Sequence, residues 1–431
     1  MTDQTLPAPN RCFRILPAPE DTATRRTCLE PSRSVLFVFP PLKRWGICAC
    51  MLLLALTASG QARRDTARFR VMSYNVENLF DCRHDTLKED REFLPDAIRH
   101  WNYTKYRKKL NDIARVITAV GQWEAPALVA LCEVENDTVI RDLTRYSALR
   151  EAGYRYLMTH SPDLRGIDVA LLYQRHLFKP IAHRSIPVPP PGKDSRPTRD
   201  ILHVSGLLLN LDTLDVFVCH FPSRSEGARE TEPYRLRAAR LVRQAADSLL
   251  HVRQRPQILI MGDFNDYPHN KSIRQVLGAQ LLPENTGGNA ASSVVATQPN
   301  PYGLYHLLAH QAARRKHFGS YKYRGEWGLL DHIIVSGTLL RPDAPCHTCG
   351  RDVFAPDFLL VPDKKYGGRQ PFRTYYGMKY QGGYSTTCLS GPISTSSIKP
   401  GPDDSHGSYQ PFEEVAQALA CFGQLVFPML H

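Results

Sequence analysis

Residues 257–266 read QILIMGDFND, a short apolar run that stops abruptly at Gly262-Asp263-Phe264-Asn265-Asp266. The run predicts a strand over 257–261, and the acidic and amide residues behind it predict a polar turn at the strand's end. The stretch before it, 232–251, places Leu236, Ala239, Leu241, Ala245 and Leu249 at helical spacing, which predicts a long amphipathic helix. Helix, strand and polar turn then recur along the chain. A helix over 105–120, striped by Leu110, Ile113, Val116, Ile117 and Val120, leads into the apolar strand 127–132, which delivers Glu133. Phe69 to Tyr74 is a strand running into Asn75-Val76-Glu77-Asn78. Further strands are expected at 154–159, 167–173, 202–211, 213–219 and 329–336, with a helical stretch near 137–151. Alternation of this kind, with polar residues gathered at strand ends, describes a layered α/β domain whose site lies on one rim.

The chain has 431 residues, 42% apolar and 22% charged, enough to bury a large core and too apolar for wholesale disorder. Its formal charge of +12 resides in the body, residues 63–385, because the first 62 residues are mildly basic and the last 46 mildly acidic. A field of that sign favours polyanionic or phosphorylated partners. Lys43 and Arg44 precede the apolar run 47–58, whose 12 residues are too short to span a bilayer as a helix. With Ala58-Ser59-Gly60 before Gln61, residues 1–62 are expected to be a leader with a secretory signal, the mature chain beginning between Gln61 and Arg63. The mature protein is then expected to be secreted or periplasmic, monomeric and not inserted in a membrane. Cys346 and Cys349 have zinc-like internal spacing but no second pair nearby, so a loop disulfide or idle thiols is the reading. Cys132 and Cys219 sit inside apolar strands and are read as core.

Asn75, Glu133, Asp263 and Asn265 each follow an apolar strand directly, and hard oxygen ligands on rigid strand ends are what Mg²⁺ requires. His220 follows the strand 215–219, where an imidazole can offer a proton or hydrogen bond to a phosphoryl oxygen. Each carboxylate alone is as well explained as a cap or a solvated turn. Together they converge on metal-assisted hydrolysis of a phosphate ester.

Six blocks occur in order: SYNVEN (73–78), LCEVEN (131–136), RGIDVALLY (165–173), CHFPSR (219–224), GDFND (262–266) and LDHIIVS (330–336). The set resembles the metal-dependent endonuclease/exonuclease/phosphatase superfamily, over residues 69 to 385. The resemblance implies a deoxyribonuclease I-like α/β fold, a four-layer sandwich of two face-to-face β-sheets with helices outside. It implies that Glu133 is the principal metal ligand and Asn75 its support. Asp263 would orient or activate the attacking water, Asn265 would hold phosphate or metal, and His220 would stabilise the phosphoryl oxygens. Arg165 would clamp a non-bridging oxygen, Asp168 would support the site from beneath, and Asp331 corresponds to an aspartate near the domain's end. Glu135 and Asn78 are read equally as turn hydrogen-bonders and as functional groups. The implied cofactor is Mg²⁺, with Mn²⁺ or Ca²⁺ as alternatives. The implied substrate is a phosphodiester, DNA or RNA ahead of lipid or sugar phosphates, and a phosphomonoester is the alternative.

The resemblance breaks after Ser385. The superfamily closes with Ser-Asp-His-Leu-Pro, whereas this chain continues Thr386-Thr387-Cys388-Leu389-Ser390. The codons TCG ACC ACC TGC CTG TCG encode the latter, and the same bases regrouped one step over encode Asp-His-Leu-Pro-Val. A frameshift at Ser385 accounts for the mismatch, and a genuine lineage-specific extension is the alternative. Residues 386–431 are then expected to be a non-homologous tail, the domain 63–385 to lack its last strand, and the enzyme to be impaired or a catalytically inactive binding protein.

Overall fold

Apolar runs become strands that are covered on both faces. The computed structural model describes residues 66–192, 195–282, 298–342, 344–348, 350–385 and 388–396. The leader lies outside them, as do Thr386, Thr387, Cys349 and residues 397–431. One seven-stranded sheet holds β1 (Thr66–Leu79), β2 (Leu128–Val134), β3 (Arg155–Met158), β4 (Asp168–Tyr173), β14 (Cys346–Thr348), β15 (Asp352–Phe354) and β20 (Cys388–Ser396). Its order is β14-β20-β1-β2-β4-β3, with β15 also on β20. The other holds β5 (Phe178–Ile186), β6 (Ile201–Leu208), β7 (Thr213–His220), β8 (Ile258–Asp263), β9 (Ala279–Leu281), β10 (Leu304–His306) and β13 (Asp331–Ser336), in the order β5-β6-β7-β8-β13-β10-β9. Three small hairpins stand apart: β11 (Tyr321–Tyr323) with β12 (Glu326–Gly328), β16 (Leu360–Pro362) with β17 (Arg369–Pro371), and β18 (Tyr375–Tyr376) with β19 (Lys379–Tyr380).

The period of two in a strand sorts the side chains. On β8, Ile258 and Ile260 pack with the helix Glu232–Val252, through Ala239, Val242 and Leu249, while Leu259 and Met261 face the first sheet's Val71, Ala130 and Val169. On β2, Val129 and Leu131 meet Ile113 and Val116 of the helix Tyr103–Gly121, and Ala130 and Cys132 turn the other way. Unbroken apolar runs are the signature of such two-sided burial, and each large side chain so buried contributes about 1.5–3 kcal/mol. All five residues of the predicted stripe on the first helix are buried.

The buried face of Glu232–Val252 is rotated from the expected one. Leu236 and Leu241 lie at its edge and Arg235 is buried, because its guanidinium pairs with Asp266 at 2.9 Å. The helical stretch near 137–151 also divides, ending at Arg145 and resuming as a 3₁₀ turn, Ala148–Ala152, after Ser147 accepts Leu149 N–H.

Two parallel pairs position the rim. Parallel neighbours need a crossover, and their ends then lie side by side. The first helix carries the chain from β1 to the parallel β2, and the second long helix carries it from β7 to the parallel β8. The C-terminal ends of β1 and β2 thus bring Asn75 beside Glu133, and those of β7 and β8 bring His220 opposite Asp263.

The expectation that the domain lacks its closing strand is corrected. β20 pairs antiparallel with β1 from Ser73↔Leu389 to Thr66↔Ser396, and it carries β14 and β15 on its other side. The stretch contains Gly391 and Pro392 and has no apolar alternation, so its strand character comes from pairing on both edges and not from local propensity. Among the described residues no helix is long and apolar enough to cross a membrane.

A chain ended at Ser385 is expected to expose the β1 edge and aggregate, whereas one ended at Ser396 should melt like the full chain. Indistinguishable melting and solubility of the two truncations would contradict the pairing.

Candidate active site

The site is built on two adjacent bulges. Pairing of β1 with β2 shifts register after Asn75, and pairing of β2 with β4 shifts after Cys132. Glu77, Asn78 and Glu133 adopt left-handed backbone there, at φ 53°, 59° and 65°, a conformation of non-glycine residues that concentrates at functional sites. The bulge on β1 turns Asn78 N–H toward Glu133 Oε2, at 2.9 Å. Asn75 Nδ2 donates to Glu133 Oε1 at 3.1 Å and to Asp263 Oδ2 at 3.0 Å, joining residues of the two sheets. Its own Oδ1 accepts Glu77 N–H at 2.8 Å, which fixes the amide orientation.

Asp263 ends β8, and its Oδ1 accepts Asn265 N–H at 2.8 Å. Burial pushes its carboxyl up to about 6, with the neighbouring Glu133 charge adding to the effect. Asp331 stands directly opposite in the β8–β13 ladder, and burial together with Asp263 drives its carboxyl well above the usual range. One buried oxygen of Asp331 has no hydrogen-bond partner. His220 Nε2 lies 3.9 Å from Glu133 Oε1, and its buried Nδ1 is likewise without a partner. Burial, then the Arg199 and Arg165 cations, hold this imidazole well below its ordinary value and therefore neutral.

Arg165 donates to Asn78 Oδ1, so it reaches the rim. Asp168 is engaged elsewhere, accepting Thr159 Oγ1 at 2.6 Å and Ser161 N–H at 3.1 Å, and it braces the loop that carries Arg165. Asn265 Nδ2 donates to Phe221 O at 2.9 Å, and Arg199 Nη2 donates to the same carbonyl at 2.9 Å. Arg199 is completed by a buried ion pair with Asp163 at 3.2 Å. Sequence reasoning missed Arg199, since nothing in the residues around it marks an arginine two residues before β6 as neighbour to His220. Glu135 is a turn hydrogen-bonder, accepting Asp81 N–H at 2.6 Å, whereas Asn78 belongs to the rim. Cys132 and Cys219 are core, with Cys132 Sγ 3.4 Å from the Cys219 carbonyl, and Cys346 is buried. Ser385 returns the chain to the site, its Oγ donating to Asn75 O at 2.6 Å.

The sequence of residues 70–389 matches the Endonuclease/Exonuclease/phosphatase family. The chain belongs to that family. No curated protein matches it. Among solved structures, an endonuclease/exonuclease/phosphatase of Bacteroides vulgatus is 12% identical and covers 77% of this chain and 100% of its own, at a TM-score of 0.45. A mannosyl-6-phosphatase of Bacteroides thetaiotaomicron is 13% identical over 75% of this chain and 99% of its own, at 0.45. The human Nocturnin catalytic domain with bound sulfate is 16% identical over 77% and 97%, at 0.44.

Members of the family are associated with Mg²⁺-dependent hydrolysis, and the donor set here has the chemistry for a hard cation. Among the described residues no group of three or more His, Cys, Asp or Glu side chains is arranged as a metal cage. Mg²⁺ commonly takes only one or two carboxylates and completes its shell with water and substrate phosphate. Glu133, with its side chain 15% exposed, and the unpartnered oxygen of Asp331 fit that mode.

Gly262 is the structural hinge of the rim. At φ 140°, a Cβ there would lie 1.8 Å from the Cys219 carbonyl, one residue before His220. Gly262→Ala is therefore expected to push β7 and β8 apart and to cost at least about 2 kcal/mol through strain and overpacking. A melting temperature equal to that of the unaltered protein would contradict this reading of the β7–β8 approach.

Proposed function

We propose that the protein is an exported, Mg²⁺-dependent phosphoesterase that hydrolyses phosphodiesters, built as a four-layer sandwich with its site on the rim of both sheets. The observation that carries the reading is the convergence of Glu133 and Asp263 on one amide, Asn75, with Asp331 opposite and a neutral His220 alongside. Glu133, supported by Asn75, would hold the cation, which when bound supplies positive charge to the phosphoryl oxygens.

The chain's own groups then divide the work. Asp263, with its carboxyl near 6, accepts a proton from the attacking water in the range where acid–base exchange is efficient. Asn265, fixed by Phe221 O, orients that water or a phosphate oxygen. His220 hydrogen-bonds a non-bridging oxygen, and Arg165 clamps another from the Asn78 side. Arg199 holds Phe221 O and adds positive potential below the site.

The missing Asp-His pair belongs to the same proposal. Positions 386 and 387 follow directly on Ser385, which sits on Asn75 O. A frameshift there removes the pair while residues 388–396 still pair with β1, so a folded protein of low turnover follows. A positioned acid or base is typically worth 10²- to 10⁴-fold.

Turnover of a chromogenic diester, a phosphomonoester and supercoiled DNA, each with Mg²⁺ and with chelator, tests the reading. A chain continued as Asp-His-Leu-Pro-Val after Ser385 should exceed the present one by about 10²-fold or more on a diester. In that chain Glu133→Gln should raise the Mg²⁺ requirement, and Asp263→Asn should lower kcat by about 10²-fold or more at saturating Mg²⁺. Equal activity of the two chains, or unchanged kinetics in both variants, would contradict it.

A further inference from the structure

Beside the rim, the three small hairpins enclose an open groove of about 800 Å³. It begins where the site ends. Ser320 Oγ accepts Asp331 N–H at 3.2 Å, and Tyr321, the next residue, lines the groove. At its other wall Arg373 grips Glu77 at 2.7 Å, two residues from Asn75.

Its lining combines aromatic faces with unneutralised cations. Tyr321 and Tyr323 project from one face of β11 with rings 6.4 Å apart and 14° from parallel. Tyr323 and Tyr366 are 55% and 47% exposed, a large aromatic surface left open to solvent. Arg324 lies over the Tyr323 ring at 5.2 Å and Lys365 over the Tyr366 ring at 5.1 Å. Asp363 is the one carboxylate on the lining, and Lys322 already occupies it at 2.8 Å. Among the described residues Arg324, Lys364, Lys365 and Lys379 make no ion pair, although all four line the groove.

We propose that this groove receives the unpaired bases and phosphates of a single-stranded nucleic acid that runs outward from the scissile phosphate. This rests on the rim being a phosphodiesterase site. Exposed tyrosines offer stacking faces to any base, and cations spread along a groove track a polyphosphate backbone. A duplex keeps its bases stacked on one another and away from such faces. An anionic membrane would be met by apolar anchors, whereas the exposed rings here carry hydroxyls and lie in a concavity. A small phosphomonoester would leave most of the groove and its cations unused.

The test is fluorescence anisotropy of the full chain with a labelled oligothymidylate, in chelator so that nothing is hydrolysed, against a hairpin duplex of equal charge. The single strand should bind at least about 10-fold tighter than the duplex. Tyr323→Ala with Tyr366→Ala should weaken single-strand binding about 10-fold or more, and Tyr323→Trp should retain it. Lys364→Ala with Lys365→Ala should reduce the salt dependence of binding. All these positions are exposed, so melting temperatures should be unchanged. Equal affinity for strand and duplex, indifference to the tyrosine changes, or preference for phosphatidylserine vesicles would overturn the proposal. Hydrolysis of a small chromogenic diester with Mg²⁺ by the chain continued as Asp-His-Leu-Pro-Val after Ser385 separates the two readings: strand binding without it overturns the proposed reaction and leaves the groove, and hydrolysis without strand preference overturns the groove alone.

Discussion

The side-chain amide of Asn75 is the constraint on which the rim depends. Its two N–H groups are directed to Glu133 and Asp263, carboxylates that end strands of different sheets. Two unit charges 4 Å apart repel by about 4 kcal/mol at an effective dielectric of 20, so carboxylates do not gather at a half-buried rim without a donor between them. The amide supplies hydrogen bonds with no net charge, leaving the cluster's negative potential for a cation. The cost is visible in Asp263 and Asp331, both driven upward by burial, Asp263 then by the Glu133 charge and Asp331 by Asp263.

The same strand end ties the rim to the outer hairpins. Glu77 follows Asn75 by two residues in the bulge and is held by Arg373, and Thr374 N–H adds a bond to its second oxygen at 2.8 Å. Ser385 binds the Asn75 carbonyl and β20 then runs along β1 as far as Thr66. The strand that carries Asn75, the groove wall and the closing strand therefore share one short segment, Ser73–Asn78.

What was legible in the sequence follows from the same physics. Strands buried on both faces must be apolar throughout, so Ile258–Met261 and Leu128–Cys132 stand out, and a polar residue that ends such a run has few places to point but the rim. Asn75, Glu133, His220 and Asp263 were found in this way. Features that depend on partners distant in the chain were not. The left-handed backbone at Glu77 and Glu133 reflects register shifts between strands. Arg235 reads as a polar helix position until Asp266 is seen beneath it. Arg199 matters only because it and Asn265 converge on Phe221 O. β20 has no local strand signal and exists through its three neighbours, β1, β14 and β15.

The most direct test of the account is a crystal grown with Mn²⁺ and measured for anomalous scattering. Mn²⁺ takes the same oxygen ligands as Mg²⁺. The account predicts a peak at the rim, at about 2.0–2.3 Å from a Glu133 carboxylate oxygen, that disappears in Glu133→Gln while the Asn75 to Asp263 hydrogen bond persists. A rim without a peak at saturating Mn²⁺, or a peak unaltered by Glu133→Gln, would contradict it.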